Sequence, residues 1–296
     1  MMAWLALILT VVLLGTFAKQ QLGGRGALLA VVLFVSMPIV WLAGRGGAPQ
    51  VVLLPSLAAW LLTFGAFARS ERRWWLVAGG AAVAAMLYLH LAGLVLAAVY
   101  GAAGAGVIVA LRPRNTVTCL VAFASGLLVA AAPFMVMLAL DSAPVAKAIT
   151  AFGLYDAQRF NPFQGAREIG SWVGLTVRTE VYWDSFIPAL WFLGKGSFPA
   201  SLMTSPIFLA PLVIPFVRGL WAYVISPADV IDSVVVVGLA CAPAAIALIA
   251  QPPVPARLIV IAPFVAIIAA RGCYPGAFRI TEAGVPAASA TVAMTR

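Results

Sequence analysis

A polytopic α-helical membrane protein is the fold class this sequence predicts, and three observations predict it. Hydrophobic residues make up 64% of the 296 and the mean hydropathy is +1.08, far outside the range of a soluble domain. The apolar residues run continuously for ~20 at a time, enough for a helix to span a ~30 Å hydrocarbon core with its backbone satisfied internally. A membrane β-barrel would show alternation instead. The third observation concerns charge. Only 9% of residues are charged, yet Arg178, Glu180, Asp184 and Lys195 crowd into RTEVYWDSFIPALWFLGKG (178–196), interleaved with Tyr182, Trp183, Phe186, Trp191 and Phe192. Such a gathering is expected where water or a polar ligand meets the bilayer.

The formal net charge of +9 does not point to nucleic acid. The basic residues sit singly in short connections, the pattern of topology signals and headgroup contacts. Cys119, Cys241 and Cys273 are far apart and form no CxxC pair; the first two lie in apolar runs and read as small packing residues. A single histidine excludes a His-rich metal site. No cofactor is expected, and a divalent cation has no support beyond an i, i+4 carboxylate pair, which is too common to claim one.

Taken in order, the apolar runs predict about nine spans, near 3–18, 27–43, 50–68, 74–89, 92–111, 117–139, 205–223, 231–250 and 257–271. The fourth and fifth come from one stretch, Trp74 to Leu111, about twice the ~20 residues one crossing needs. It is expected to fold into two short antiparallel helices turning near His90 and Gly93. Gly79, Gly80, Gly101 and Gly104 would let these helices pack closely. The chain thus divides into N-terminal transmembrane helices (1–139, about six), an extracytoplasmic loop with an interfacial helix (140–204), C-terminal transmembrane helices (205–272, about three) and a polar, disordered cytoplasmic tail (273–296).

Alternate connections carry Lys19 and Arg25; Arg69, Arg72 and Arg73; Arg112 and Arg114; and Arg218, with Arg271, Arg279 and Arg296 in the tail on that side. The short connections on the opposite side hold only Arg45 and Arg257. The positive-inside rule makes the first set cytoplasmic and puts the long loop, Arg45, His90 and Arg257 outside. Met1 also falls outside, heading an apolar helix with no positive flank before it. A signal peptide would carry its basic flank first and end at a small-residue cleavage site, so an earlier span is expected to precede this one.

Glu168 to Val181 places Ile169, Trp172, Val173, Val177 and Val181 at helical spacing, with Arg167, Glu168, Arg178 and Glu180 displaced to the other side. An amphipathic helix flat at the interface fits, Trp172 and Trp183 at headgroup depth. Dinucleotide, P-loop, HExxH and GxSxG motifs are absent, so isolated polar groups remain. His90 interrupts LYLHLAG, either hydrogen-bonded to a neighbouring helix or functional. Arg45 and Arg257 flank outer boundaries, either snorkelling to headgroups or gripping a lipid-linked phosphate. Glu180 and Asp184 share a helix face, and as a pair would bind a cation or deprotonate a hydroxyl, or else pair with Arg178 or Lys195. The aromatics from Tyr182 to Phe192 read as an interfacial belt.

In this order the residues resemble a known family. GGRGALLAVVLFVSMPIVWLAGRG (23–46), WWLVAGGAAVAAMLYLHLAG (74–93), VYWDSFIPALWFLGKG (181–196) with PIFLAPLVIPFVRGL (206–220), and PPVPARLIVIAPFVAIIAARG (252–272) are similar to motifs of the membrane-embedded GT-C glycosyltransferases that use polyprenyl-phosphate sugars. That group contains the protein O-mannosyltransferases and aminoarabinose transferases, and the similarity covers about residues 20–275. The resemblance implies a bacterial inner-membrane enzyme passing a sugar from a polyprenyl phosphate to an extracytoplasmic lipid, glycan or protein. It further implies Arg45 and Arg257 at the donor phosphate, His90 beside it, and Arg178, Tyr182, Trp183 and Lys195 in a loop closing over the substrate. An acceptor hydroxyl would attack the anomeric carbon with a carboxylate as base.

The sequence departs from the family at its start, where the family carries a first helix and a loop with its catalytic acid. Glu180 and Asp184 are weak candidates to replace that acid, so the catalytic residue is unassigned. Two other expectations stand beside the enzyme: a transporter or flippase for a lipid-linked substrate, and a non-catalytic membrane scaffold. A transporter predicts charges buried mid-span and paired broken helices.

Overall fold

The computed structural model describes residues 2–46, 48–90, 92–111, 113–140, 171–193, 207–225, 230–249 and 255–273, and among these the chain is helical with no strand. The helices are α1 (Met2–Ser36), α2 (Pro38–Gly46), α3 (Leu54–Ser70, entered through the 3-10 turn Pro49–Leu53), α4 (Trp74–Leu89), α5 (Ala92–Leu111), α6 (Thr116–Leu140), α7 (Trp172–Asp184), α8 (Val213–Ile225), α9 (Val230–Cys241), α10 (Ala244–Ile249), α11 (Pro255–Leu258) and α12 (Ala262–Cys273). Five stretches are long and apolar enough to cross a membrane: Met2–Ser36, Pro49–Ser70, Ala92–Leu111, Thr116–Leu140 and Ile231–Leu248. Three shorter apolar helices, Trp74–Leu89, Ala210–Val224 and Ile259–Cys273, accompany them.

The first two predicted spans fall on two helical arms that meet at Gly23 and fold back on each other, the second arm running on into α2. Gly23 has φ 74°, a left-handed conformation that side-chain-bearing residues rarely adopt. At 1.5 Å per residue a straight helix would hold residues 15 and 31 about 24 Å apart, yet a Cβ on Gly15 would meet a Val31 methyl at 3.1 Å. Trp4 and Trp41 confirm the pairing of the two arms with a T-shaped contact at 6.0 Å. Beyond Gly23, the second arm breaks at Met37, before Pro38, whose missing N–H suits a helix start.

The long run from Trp74 to Leu111 divides at His90, as its length predicted. Glycines then set the helix contacts. A Cβ on Gly80 would lie 2.1 Å from the Phe123 carbonyl, and one on Gly126 2.0 Å from that of Val77, so α4 and α6 touch backbone to backbone. Gly104 sits under the Phe123 ring and Gly79 against Thr63 Oγ1, while Gly101 is only in ordinary contact with Leu127.

α12 lies at the centre, buried on every side from Ala262 to Gly272. From its Phe264 a chain of ring contacts runs through Tyr100, Trp60 and Phe64 to Phe123, and Tyr100 donates its hydroxyl proton to Gly238 O at 2.6 Å. By contrast, the first arm of α1 and much of α6 turn Leu5, Ile8, Val12, Val121, Leu128 and Val129 outward. In an apolar chain of this kind those faces are suited to lipid.

Breaks divide the last two predicted spans. Run 231–250 is interrupted at Ala242–Pro243, and run 257–271 consists of α11, a 3-10 turn at Ile259–Ile261, and α12. The predicted loop 140–204 is described only at Leu140, which ends α6, and at 171–193, and the predicted tail only at Cys273.

Candidate functional site

Three of the predicted site residues converge at the end of the bundle opposite Gly23. His90 closes α4 in an extended conformation and opens α5: its Nδ1 accepts the Ala92 N–H at 3.0 Å and its carbonyl the Gly93 N–H at 2.8 Å. Accepting at Nδ1 puts the neutral ring's proton on Nε2. Gly93 is required here, because a Cβ would sit 1.8 Å from the Met86 carbonyl. Partial burial, and then the charge of Arg257, hold the His90 pKa below its usual 6.5. Arg257 therefore lies close enough for its field to act on the imidazole, although far away in sequence. It belongs to α11, which packs against α2, and Arg45 is exposed in the last turn of α2. Of the two readings of His90, the bond formed is a cap at the head of α5, within its own hairpin.

Beside His90 stands Tyr88, a residue that sequence reasoning missed. Pro133 has no N–H and opens the α6 backbone. The Tyr88 hydroxyl enters there, donating to Ala130 O at 2.7 Å and accepting the Phe134 N–H at 3.0 Å. A proline inside an apolar run and a tyrosine next to the turn were the available signals. Tyr88→Phe is expected to cost about 1 kcal/mol, since both bonds are partly solvent-exposed; detergent unfolding curves would measure it.

The second group of candidates belongs to α7. Ser171 caps it, accepting the Gly174 N–H at 3.1 Å. Arg178, expected on the polar side, instead faces protein: Nε donates to Leu248 O at 3.2 Å and Nη1 to Gly174 O at 2.9 Å. These bonds satisfy main-chain carbonyls, including one at the end of α10, so the carboxylates are not what Arg178 serves here. Tyr182 donates to Ala240 O at 2.9 Å, fixing α7 to α9. The apolar Trp172 and Val173 point outward with Trp183, at 84%, 72% and 64% exposure, beside the exposed Thr176, Thr179 and Glu180. Glu180 is exposed and Asp184 half-buried, one turn apart. Lys195 lies outside the described residues.

The aromatic belt is corrected in part. Trp191 and Phe192 are buried, packed with Phe208 and Phe216 at 5.5–6.2 Å, and Trp191 Nε1 donates to Ser185 O at 2.6 Å. Only Trp183 of the predicted belt is strongly exposed. Aromatic composition alone cannot separate an interface from a core, because rings serve both.

At the Gly23 end the structure contains a charge pair that the sequence reading assigned elsewhere. Arg271, counted with the tail, is a buried residue of α12 whose guanidinium bonds to Asp232 of α9 and lies 4.0 Å over the Tyr223 ring. The signal was a lone acid in VIDSVVVVGLAC and a lone base in AIIAARGC, since charges in apolar helices seek each other.

Among the described residues no group of three or more His, Cys, Asp or Glu is placed to hold a metal ion. No protein-family model, curated protein or solved structure matches the chain. The functional reading therefore rests on the residues at the two ends of the bundle.

Proposed function

We propose that the chain is a membrane glycosyltransferase-like protein that binds a polyprenyl-phosphate sugar at the His90 end, for transfer to an extracytoplasmic lipid, glycan or protein. One observation carries the reading: the short helix bearing Arg257 packs against α2, which ends in Arg45, and lies near enough to His90 for its charge to lower that pKa. Two arginines and a histidine at one end of an apolar bundle suit a phosphate whose lipid tail lies in the bilayer. Under this reading the chain crosses a bacterial inner membrane about nine times with the His90 end outside. The exposed face of α7, with Trp172 and Trp183, rests at headgroup depth.

In such a reaction the acceptor oxygen bonds to the anomeric carbon while the bond from that carbon to the phosphate oxygen breaks. The hydroxyl proton passes to a base, and the lipid phosphate leaves stabilised by Arg45, Arg257 and the His90 Nε2–H. Glu180 and Asp184 are weak candidates for that base.

Binding provides the test. Arg257→Ala is expected to weaken polyprenyl-phosphate binding about tenfold or more, the scale of a charge-assisted contact, measured in nanodiscs. An unchanged affinity would sink the phosphate site. The pH dependence has a definite sign. The free protein holds His90 neutral below its usual 6.5, and a bound phosphate raises that pKa, so binding takes up a proton. Affinity should therefore rise as pH falls from about 8 to about 6, and His90→Gln should flatten the slope.

A transporter or flippase for a lipid-linked substrate is the second reading, favoured by the breaks at Ala242–Pro243 and Ile259–Ile261, although the buried Asp232–Arg271 pair lies at helix ends and not mid-span. Movement of a labelled lipid across proteoliposomes, without sugar transfer, would select it. Neither binding nor transport would leave the scaffold reading.

A further inference from the structure

One apolar helix is too short for the bilayer, and charge sits at its foot. α4 has 16 residues and its neighbour α6 has 25, about 24 Å and 37 Å of helix against a hydrocarbon core of about 30 Å. The two run parallel, since a Cβ on Gly126 would meet Val77 O while Tyr88 bonds to Ala130 and Phe134. Val77 is three residues from the start of α4, and Gly126 is ten from the start of α6. At the Gly23 end α6 therefore continues about 10 Å past α4, towards the exposed Arg114 and Asn115 that precede it. The foot of α4 is a recess beside that projection. A helix about 6 Å short of the core draws its ends inside the polar boundary or thins the bilayer around it.

Glu71, Arg72, Arg73 and Trp74 are all exposed in this recess, on the turn from α3 into α4. Glu71 takes a left-handed conformation, φ 51°, and its N–H closes on Phe67 O at 2.8 Å, so the turn is tight and holds both arginines directly at the head of α4. Trp74 is 51% exposed and stacks on Trp75 with ring centroids 3.6 Å apart. Arg69, at the end of α3, is committed to protein, donating to Gln20 O in the α1 hairpin. Arg72 and Arg73 form no ion pair among the described residues. Glu71 is one carboxylate beside two such arginines, so the turn stays positive. A guanidinium at the margin of the hydrocarbon needs an anion, and its paired N–H donors match a phosphate. Indole rings favour the same depth.

We propose that the foot of α4 binds the headgroup of an anionic phospholipid from the leaflet on the Gly23 side. Arg72 and Arg73 hold its phosphate, and the Trp74–Trp75 stack lies along its glycerol backbone. The short helix supplies the depth, so the lipid is held in the recess rather than attracted to the basic end as a whole. This site is at the opposite end of the bundle from His90 and does not rest on the polyprenyl-phosphate reading.

Native mass spectrometry of the full chain in detergent tests this, with phosphatidylglycerol and phosphatidylethanolamine titrated separately. Each basic side chain near an anionic headgroup is expected to contribute about fivefold in affinity. The wild type should therefore bind its first phosphatidylglycerol about tenfold or more tightly than phosphatidylethanolamine. Arg72→Gln/Arg73→Gln should bring the two lipids within about twofold of each other. Lys19→Gln/Arg25→Gln removes the same charge from exposed positions at the same end and should leave the preference in place. Equal loss in the two double variants would mean diffuse attraction to the basic end and overturns the site. A wild type that binds both lipids alike, or prefers phosphatidylethanolamine through Glu71, overturns it too. Should the double variant not fold, Arg72→Gln and Arg73→Gln singly are each expected to cost about fivefold, and no loss from either overturns the proposal.

Discussion

Asp232→Ala is expected to destabilise the protein by about 3–5 kcal/mol, because it leaves the charge of Arg271 buried and uncompensated. The two side chains are 3% and 9% exposed, Arg271 and Asp232 respectively, and the guanidinium is also committed to the Tyr223 ring at 4.0 Å. Water cannot replace the lost carboxylate without opening the contacts among α8, α9 and α12. The pair joins the predicted last spans and lies next to Ala270, which packs with Ala18, Ala27 and Ala30 of the α1 hairpin. Denaturant unfolding in detergent would measure the loss, and the double variant Asp232→Leu/Arg271→Met should recover most of it, since apolar replacement of a whole buried pair is often neutral. A double variant as unstable as the single one would mean that the pair is not the unit. The same double variant separates the two functional readings: a structural clamp can be replaced without loss of activity, whereas a charge pair that moves during transport cannot.

The second large effect is expected where α8 crosses α12. A Cβ on Gly219 would stand 1.8 Å from Ile268 O, and one on Gly272 1.8 Å from Pro215 O. Both obstacles are backbone, so no rotamer change relieves them and the helices must separate. Gly272→Val is expected to cost about 3 kcal/mol or more, at the upper end of overpacking, because the separation also exposes the central helix. Gly106→Ala is the control: nothing lies within 4 Å of its added Cβ, and the better helix propensity of alanine should stabilise α5 by up to about 1 kcal/mol. If both substitutions prove equally mild, the close crossing is absent in the membrane-embedded protein.

The sequence made much of the architecture legible because lipid leaves the backbone few choices. Continuous apolar runs gave helices, the excess length of Trp74–Leu111 gave a hairpin, and the only residues able to end it cheaply lay at His90 and Gly93. The glycines of α4 were readable as contact points, but they were expected to close the α4–α5 hairpin and instead meet α3 and α6. Of the candidate site, the convergence of Arg257 with His90 was expected from alternation of the helices, which brings every second connection to one end.

Other features depended on partners that no local pattern names. Arg271 reads as a tail charge until Asp232 is placed opposite it, and Trp191 reads as an interfacial ring until Phe208 and Phe216 enclose it. Arg178 belongs by periodicity to a polar face, yet α10 presents a carbonyl that it satisfies. Tyr88 matters only because the α6 backbone is opened by Pro133 forty-odd positions further along. What the sequence by itself determined was a helical membrane body with its polar groups gathered at the ends, since hydropathy and backbone satisfaction act residue by residue. The tertiary structure alone decided which buried charge has a partner, Arg271 through Asp232, because the energy of a buried polar group is set by the atom that faces it.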